Sequence, residues 1–211
     1  LRFGVTNGLE SSMFQLGKIL LLSTVSVLGT ASVAANAIGN SLATFQCVAG
    51  NAMGLGIVTV VSQCVGAGDY GKARTYTKKL IKAAYAAMDL CILLVYLSMP
   101  LVLRLYNVSP EAEGYARQIV WLHGFMGMLF WPLSFTLPQA LRAAGDTRFT
   151  MVVSSVSMWT MRVGFGVLLG RVLGFGVVGI WMAMFADWLL RIAFFLPRFH
   201  GHRWEAMALQ S

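Results

Sequence analysis

The sequence predicts an all-α, polytopic membrane protein: a six-helix transmembrane bundle. Three observations predict it. Ala83 to Leu103 is 21 residues with Asp89 as its one charge, and Ile119 to Leu141 is 23 residues with none. At about 1.5 Å of rise per residue, each run reaches the roughly 30 Å of a bilayer's hydrocarbon core. Hydrophobic residues make up 57% of the chain and charged residues 11%, with a mean hydropathy of +0.70. That charged share is less than half of the roughly 25% typical of soluble domains. Finally, six apolar stretches are separated by short turns rich in Gly, Asn, Pro and Asp, where the chain reverses.

The elements follow in order. The first helix starts at Phe3 or Leu9, because Gly4 and Gly8 weaken helix there, and runs to Leu28 before Gly29-Thr30. The second covers Val33 to Val65, long enough to need tilt or an interfacial turn, and closes at Gly66-Ala67-Gly68-Asp69. The third starts near Ala73 with a basic first turn and continues past Pro100 to Leu105. Asn107-Val108-Ser109-Pro110 is a turn, with Pro110 suited to the first helical position. The fourth spans Glu111 to Leu141, with kinks expected at Pro132 and Pro138. Gly145-Asp146-Thr147 leads to the fifth, Phe149 to Leu169, and a glycine-containing loop at Gly170 to Gly176 leads to the sixth, Val177 to Pro197. Residues 1–198 therefore read as the bundle and residues 199–211 as a polar tail.

The net charge of +8 is concentrated between the apolar runs, which argues for the positive-inside rule and against nucleic acid. Lys72, Arg74, Lys78, Lys79 and Lys82, then Arg142 and Arg148, then Arg198 and Arg203 fall on one side if six helices alternate. That side, with both termini, is expected to be cytoplasmic, in a multi-pass prokaryotic inner-membrane topology. Cys47, Cys64 and Cys91 all lie in apolar runs and read as small buried hydrophobes. The first apolar run carries Glu10 and Lys18 and lacks a cleavage pattern, so it does not read as a signal peptide. The chain begins at Leu1 rather than Met and reads as a piece of a longer product. No hydrolase elbow, phosphate loop or zinc-protease helix occurs, and His123, His200 and His202 are too dispersed for a ligand set, so neither enzyme nor cofactor is expected.

Charge inside a membrane helix is expensive, and such residues are functional candidates by default. Glu10 and Asp89 are the ion-coupling candidates on this ground. Glu10, Phe14 and Lys18 share a stripe at i, i+4 and i+8, which is expected to face inward. Asn36, Asn40, Thr44, Cys47 and Asn51 form a second polar stripe, expected to line a cavity or bond to a neighbouring helix. Arg162 and Asp187 lie near the midpoints of adjacent antiparallel helices and are expected to pair, although Asp187 and Arg191 are also spaced i, i+4.

Two turns repeat a pattern: Gly66-Ala67-Gly68-Asp69-Tyr70-Gly71-Lys72-Ala73-Arg74 and Leu141-Arg142-Ala143-Ala144-Gly145-Asp146-Thr147-Arg148. Glycine supplies left-handed backbone at a helix end and Asp is suited to cap the next helix. These strings, with Asn7 to Lys18 and Ala34-Ala35-Asn36-Ala37-Ile38, resemble the multidrug and toxic compound extrusion (MATE) family along essentially the whole chain. The resemblance implies one six-helix half of a twelve-helix transporter, and the Glu10 string marks the carboxyl-terminal half. It implies ion coupling at Glu10 by Na⁺ or H⁺, with Glu10 as the possible Na⁺ ligand. Thr6 stands where many relatives have proline, and the segment from Trp121 to Leu137 lacks the acid that some relatives place there.

The resemblance therefore implies a secondary active antiporter that exports cationic or amphipathic organic compounds in exchange for H⁺ or Na⁺. Its expected partners are membrane lipids, the amino-terminal half of the same transporter and a small organic substrate. Two alternatives stand beside it: a lipid-linked oligosaccharide flippase of the same superfamily, kept open by Lys18 and Arg162, and a non-transporting membrane assembly protein.

Overall fold

The computed structural model describes residues 2–201 and 204–205, with the side chains of residues 2–7 and Glu10 outside that description. Six long helices follow one another: α1 (Arg2–Ser26), α2 (Thr30–Gly66), α3 (Tyr70–Tyr106), α4 (Pro110–Ala143), α5 (Thr147–Val172) and α6 (Gly176–His200). Helices α2 to α6 are each long and apolar enough to cross a membrane, and α1 matches α6 at 25 residues. No strand occurs among the described residues.

The two glycine-aspartate turns are built alike. Gly68 and Gly145 take left-handed backbone, φ 74° and 89°, where a Cβ would be strained. The Asp69 N–H donates to Cys64 O at 2.9 Å and the Asp146 N–H to Leu141 O at 3.0 Å, satisfying carbonyls that the helix ends leave open. Their aspartates then diverge. Asp69 caps α3 by accepting the Lys72 N–H at 2.9 Å, and the Lys72 Nζ–H at 2.8 Å. These two bonds hold its carboxyl below the ordinary 3.8. The cap is thus intact at neutral pH and is lost only as pH falls through that lowered value. Asp146 makes no side-chain cap. It is buried and accepts from Arg198 Nε at 2.6 Å, tying the α4–α5 turn to the end of α6.

At the same end, Arg74 of α3 donates to the carbonyls of His200 and Gly201 at 3.0 and 3.2 Å and pairs with Glu205 at 2.5 Å. Trp204 is buried and stacks on Phe199 at 5.9 Å. The α2–α3 turn, the α4–α5 turn and the end of α6 therefore gather at one pole. α6 runs three residues beyond the expected Pro197, and the segment expected as a tail folds back at Trp204.

The other turns use different devices. Asn107 takes φ 46° after α3, and Ser109 caps α4 by accepting the Ala112 N–H at 3.3 Å, with Pro110 in the first turn. Pro132 has no N–H to give, and α4 widens to an i→i+5 register over Pro132–Thr136 rather than breaking. α5 widens twice, over Met158–Gly164 and Leu168–Val172, which the sequence pattern does not announce.

α3 shows how lipid shapes the surface. Its inner stripe of Ala84, Met88, Ile92, Val95, Met99 and Leu103 is buried, while Leu90, Leu93, Leu94, Leu97, Leu101 and Leu105 are exposed. An exposed leucine face of this length suits a hydrocarbon solvent. Two apolar cores lie along the bundle. One, around Phe195, Phe199, Trp204, Leu141 and Ile57, sits at the basic pole, and the other runs through Met88, Ile119, Trp131, Trp181 and Trp188. Ser134, Thr136, Ser154, Ser157, Asp187 and Arg191 are buried polar residues.

Close packing rests on small residues. A Cβ on Gly50 would run into the Trp131 ring and Met88 Sδ, both in the core, whereas one on Gly56 meets open space. Gly50→Val is therefore expected to cost about 1–3 kcal/mol by overpacking. Gly56→Ala is expected to be neutral or slightly stabilising through helix propensity. Thermal unfolding of the two variants in detergent checks this: a Gly50→Val midpoint equal to wild type contradicts the packing.

Candidate functional site

A cavity of about 500 Å³ opens among α1, α2, α4 and α6. Ser11, Phe14 and Gln15 of α1 line one wall. Asn51 of α2, Phe135, Pro138, Gln139 and Arg142 of α4, and Arg191 of α6 complete it. Phe135, Gln139 and Arg142 are i, i+4 and i+7 along α4, so the helix presents them on one face. Arg142 reaches Gln139 Oε1 at 3.5 Å and Thr150 Oγ1 at 3.4 Å. The lining thus mixes two aromatic rings with amides, a hydroxyl and guanidinium groups.

Behind the Arg191 wall lies the buried charge network. Arg191 Nε donates to Asp187 Oδ1 at 2.9 Å, and its Nη2 to the Ser154 carbonyl at 3.2 Å. The Ser157 hydroxyl donates to the same Asp187 oxygen. The Arg191 guanidinium also stands over the Phe135 ring at 4.9 Å. Asp187 is fully buried and Arg191 nearly so, 0% and 3% exposed, which in a bilayer demands such pairing. Asp187 Oδ2 has no hydrogen-bond partner.

Arg162 and Asp187, expected to pair, make no direct salt bridge, although the Asp187 charge acts on Arg162. Asp187 takes Arg191, one helical turn away, as its partner. Arg162 instead brings Nη2 to Met184 Sδ at 2.6 Å and its guanidinium over the Phe14 ring at 5.3 Å. The wide turn at Met158–Gly164 contains Arg162 and offsets the facing pattern of α5, and α1 packs closely there because Gly17 meets Met158. Matched depth on neighbouring helices was not enough to fix the partner.

The other sequence candidates are placed as follows. Phe14 and Asn51 line the cavity, and Lys18 is exposed with Nζ 5.3 Å from the Phe14 centroid. Asn36 accepts from Trp181 Nε1 at 3.0 Å and so joins α2 to α6. Asn40 and Thr44 are exposed and bond back to the carbonyls of Asn36 and Asn40, each at 2.8 Å. Cys47 is buried. Asp89 lies on α3 away from this cavity's lining, with Oδ1 enclosed and without a hydrogen-bond partner. Glu10 belongs to α1, but its side chain lies outside the described residues. No cluster of metal-binding side chains occurs among the described residues.

Sequence reasoning passed over Gln46 and His123, which are buried and joined at 2.6 Å between Gln46 Oε1 and His123 Nδ1. His123 sits edge-on to Trp181 and Trp188, at 5.6 and 5.3 Å. The signal available was two polar residues in otherwise apolar runs. It also passed over Phe135, Gln139 and Arg142 as a wall, although their spacing shared a face.

A family model described as MatE matches residues 8–168, from the cavity wall on α1 through most of α5. The chain belongs to the MatE family. "Uncharacterized transporter YisQ" of Bacillus subtilis (strain 168) is 22% identical over 211 residues, covering 97% of this chain and 45% of that protein. "Probable multidrug resistance protein NorM" of Thermotoga maritima is 22% identical over 210 residues, covering 99% and 45%. "Probable multidrug resistance protein YoeA" of Bacillus subtilis (strain 168) is 23% identical over 195 residues, covering 91% and 42%. The chain therefore spans a little under half the length of these MatE relatives. No solved structure matches it at a significant level.

Removing one member of the Asp187–Arg191 pair leaves the other buried and uncompensated. Arg191→Met is expected to destabilise the protein by about 3–5 kcal/mol, and the double variant Asp187→Asn/Arg191→Met to recover much of that loss. Thermal unfolding of the three proteins in detergent decides it. A single variant as stable as wild type would show that the pair is not structurally needed.

Proposed function

We propose that the chain is the carboxyl-terminal half of a secondary active antiporter. It would export small amphipathic organic compounds in exchange for inward-moving H⁺ or Na⁺. Supporting this are the MatE family membership and the relatives named as multidrug resistance proteins. The observation that carries the reading is the cavity of about 500 Å³ walled by Phe14, Asn51, Gln139 and Arg191 in a membrane bundle. Two aromatic rings set among amides and guanidinium groups give such a compound both apolar and polar contacts. Rocking of this half against a second six-helix half would expose the cavity alternately to each side. The partners in this reading are that second half, the lipids around the bundle and the transported compound.

Glu10 stands one helical turn before Phe14 and is the coupling residue of this reading, with Na⁺ or a proton as its ligand. Taking up either ion changes the charge at the cavity wall and so favours one conformation over the other. Asp89 is the second coupling candidate, an acid within a membrane helix whose Oδ1 has no hydrogen-bond partner.

Glu10→Gln keeps the side-chain size but removes the titrating group. In the intact transporter it is expected to abolish ion-driven export from inverted vesicles while leaving expression unchanged. Export at wild-type rates from Glu10→Gln vesicles across a range of pH and Na⁺ would place coupling elsewhere.

The orientation in this reading puts the basic pole in the cytoplasm of a cell membrane, with both termini there. A Lys72→Cys variant lacking Cys47, Cys64 and Cys91 is expected to react with an impermeant maleimide only from the cytoplasmic side. Labelling from outside intact cells would reverse the topology.

A further inference from the structure

The basic pole carries more positive charge than its described acids meet. Asp69 pairs with Lys72 at 2.8 Å, Glu205 with Arg74 at 2.5 Å and Asp146 with Arg198 at 2.6 Å. Lys78, Lys79 and Lys82, in the first four turns of α3, are exposed and join no ion pair among the described residues. Lys79 Nζ has the Tyr76 ring at 5.9 Å, a contact that offsets an exposed cation only weakly. Asp89, the next acid along α3, stands seven residues past Lys82, about 10 Å along the axis. Lys78 and Lys82 are spaced i, i+4, and Lys79 and Lys82 i, i+3. Three like charges thus share little more than one turn of surface, an arrangement that weakens a helix unless an anion sits among them.

These lysines continue the leucine face of α3. Lys79, Lys82, Ala86, Leu90, Leu93 and Leu97 are all exposed and follow one another at spacings of 3, 4, 4, 3 and 4. That spacing is one face of a 3.6-residue helix. Leu105 is the last exposed leucine of α3. A hydrocarbon core of roughly 30 Å, measured back from Leu105, takes about 20 residues and ends near Tyr85. Lys82, Lys79 and Lys78 then lie about 5 to 10 Å outside it, where headgroups add roughly 5 to 8 Å on each side. None of the three lines the cavity.

We propose that Lys78, Lys79 and Lys82 form a binding site for an anionic phospholipid. Its phosphate accepts charge-assisted hydrogen bonds from the ammonium groups, and its acyl chains lie along Ala86, Leu90 and Leu93. A lipid fits this face better than a soluble anion, because one helix surface presents both the cations and the apolar stripe at matching depths. Each juxtamembrane lysine is worth on the order of fivefold in affinity for an anionic membrane surface. Setting topology alone needs the charges but no preference for a headgroup, so the two roles are separable. The site is independent of the antiport reading, since it involves neither the cavity nor the coupling residues.

The test uses the intact transporter with Cys47, Cys64 and Cys91 replaced and a coumarin on a single cysteine at exposed Ala86, one turn past Lys82. It is placed in phosphatidylcholine nanodiscs with a trace of tail-labelled phosphatidylglycerol or tail-labelled phosphatidylcholine of identical acyl chains. Energy transfer from the coumarin gives the relative affinity of the two lipids for this face. Phosphatidylglycerol is expected to be preferred at least about twentyfold. Lys78→Gln, Lys79→Gln and Lys82→Gln should each reduce the preference about fivefold, and the triple variant should abolish it. The triple Lys→Arg variant keeps the charge and should retain most of the preference. All three side chains are exposed, so these variants leave the packing of the bundle untouched.

Equal transfer to the two lipids in the otherwise wild-type protein overturns the proposal, as does a preference that survives in the triple Gln variant. A preference lost on adding soluble glycerol phosphate would assign the lysines to a water-borne phosphate and overturn the lipid site. Ion-driven export is measured separately. Its absence beside an intact lipid preference would reject antiport and leave the lipid site standing.

Discussion

A charged side chain at membrane depth has no water to fall back on, and this constraint organises the bundle. Asp187 and Arg191 are as buried as any core residue and hold each other at 2.9 Å. Ser157 and the Ser154 carbonyl, both on α5, take up further hydrogen-bonding capacity of the pair. Both charges sit on α6, so it is the bonds to Ser157 and the Ser154 carbonyl that tie α6 to α5, and sliding either helix would lose them. Its guanidinium also forms part of the cavity wall and lies over Phe135. Structure and site meet in one residue.

Polar bonds of the same kind join the remaining helices. Gln46 links α2 to α4 through His123 and the Val120 carbonyl. Thr136 reaches the Gly50 carbonyl at 3.3 Å, and Tyr85 and Tyr96 of α3 donate to carbonyls of α4 at 2.9 and 2.8 Å. Such bonds are each worth on the order of 1 kcal/mol in a membrane, so packing must supply the rest. Glycines opposite large side chains do so: Gly39 against Trp181, Gly50 against Trp131 and Gly166 against Leu21. The same device at Gly17 brings α1 against Met158 of α5.

Helix number and turns were legible in the sequence because apolar length and glycine-aspartate punctuation are local. α2 was read as Val33 to Val65 and runs Thr30–Gly66; α6 was read from Val177 and starts at Gly176. Side-chain azimuth was less legible. The wide turns in α4 and α5 offset the 3.6-residue pattern without marking the sequence, so the depth of Arg162 on α5 does not give its contacts. Asp69 and Asp146 follow the same glycine pattern, yet Asp146 does not cap and takes Arg198, from a helix fifty residues on. Within the site, the α1 and α2 stripes placed Phe14 and Asn51, whereas Phe135, Gln139 and Arg142 share a face at the end of a long apolar run and do not stand out as a polar stripe.

The proposed function needs the α1–α2–α4–α6 cavity to be open to water and the leucine face of α3 to meet lipid. Single cysteines at Phe14, Asn51, Leu94 and Leu97, placed in the intact transporter with Cys47, Cys64 and Cys91 replaced, test it directly. Reaction rates with a small charged maleimide in native membranes are the measurement. Fast labelling is expected at 14 and 51 and none at 94 and 97. Fast labelling at 94 and 97, with 14 and 51 inert, would contradict it.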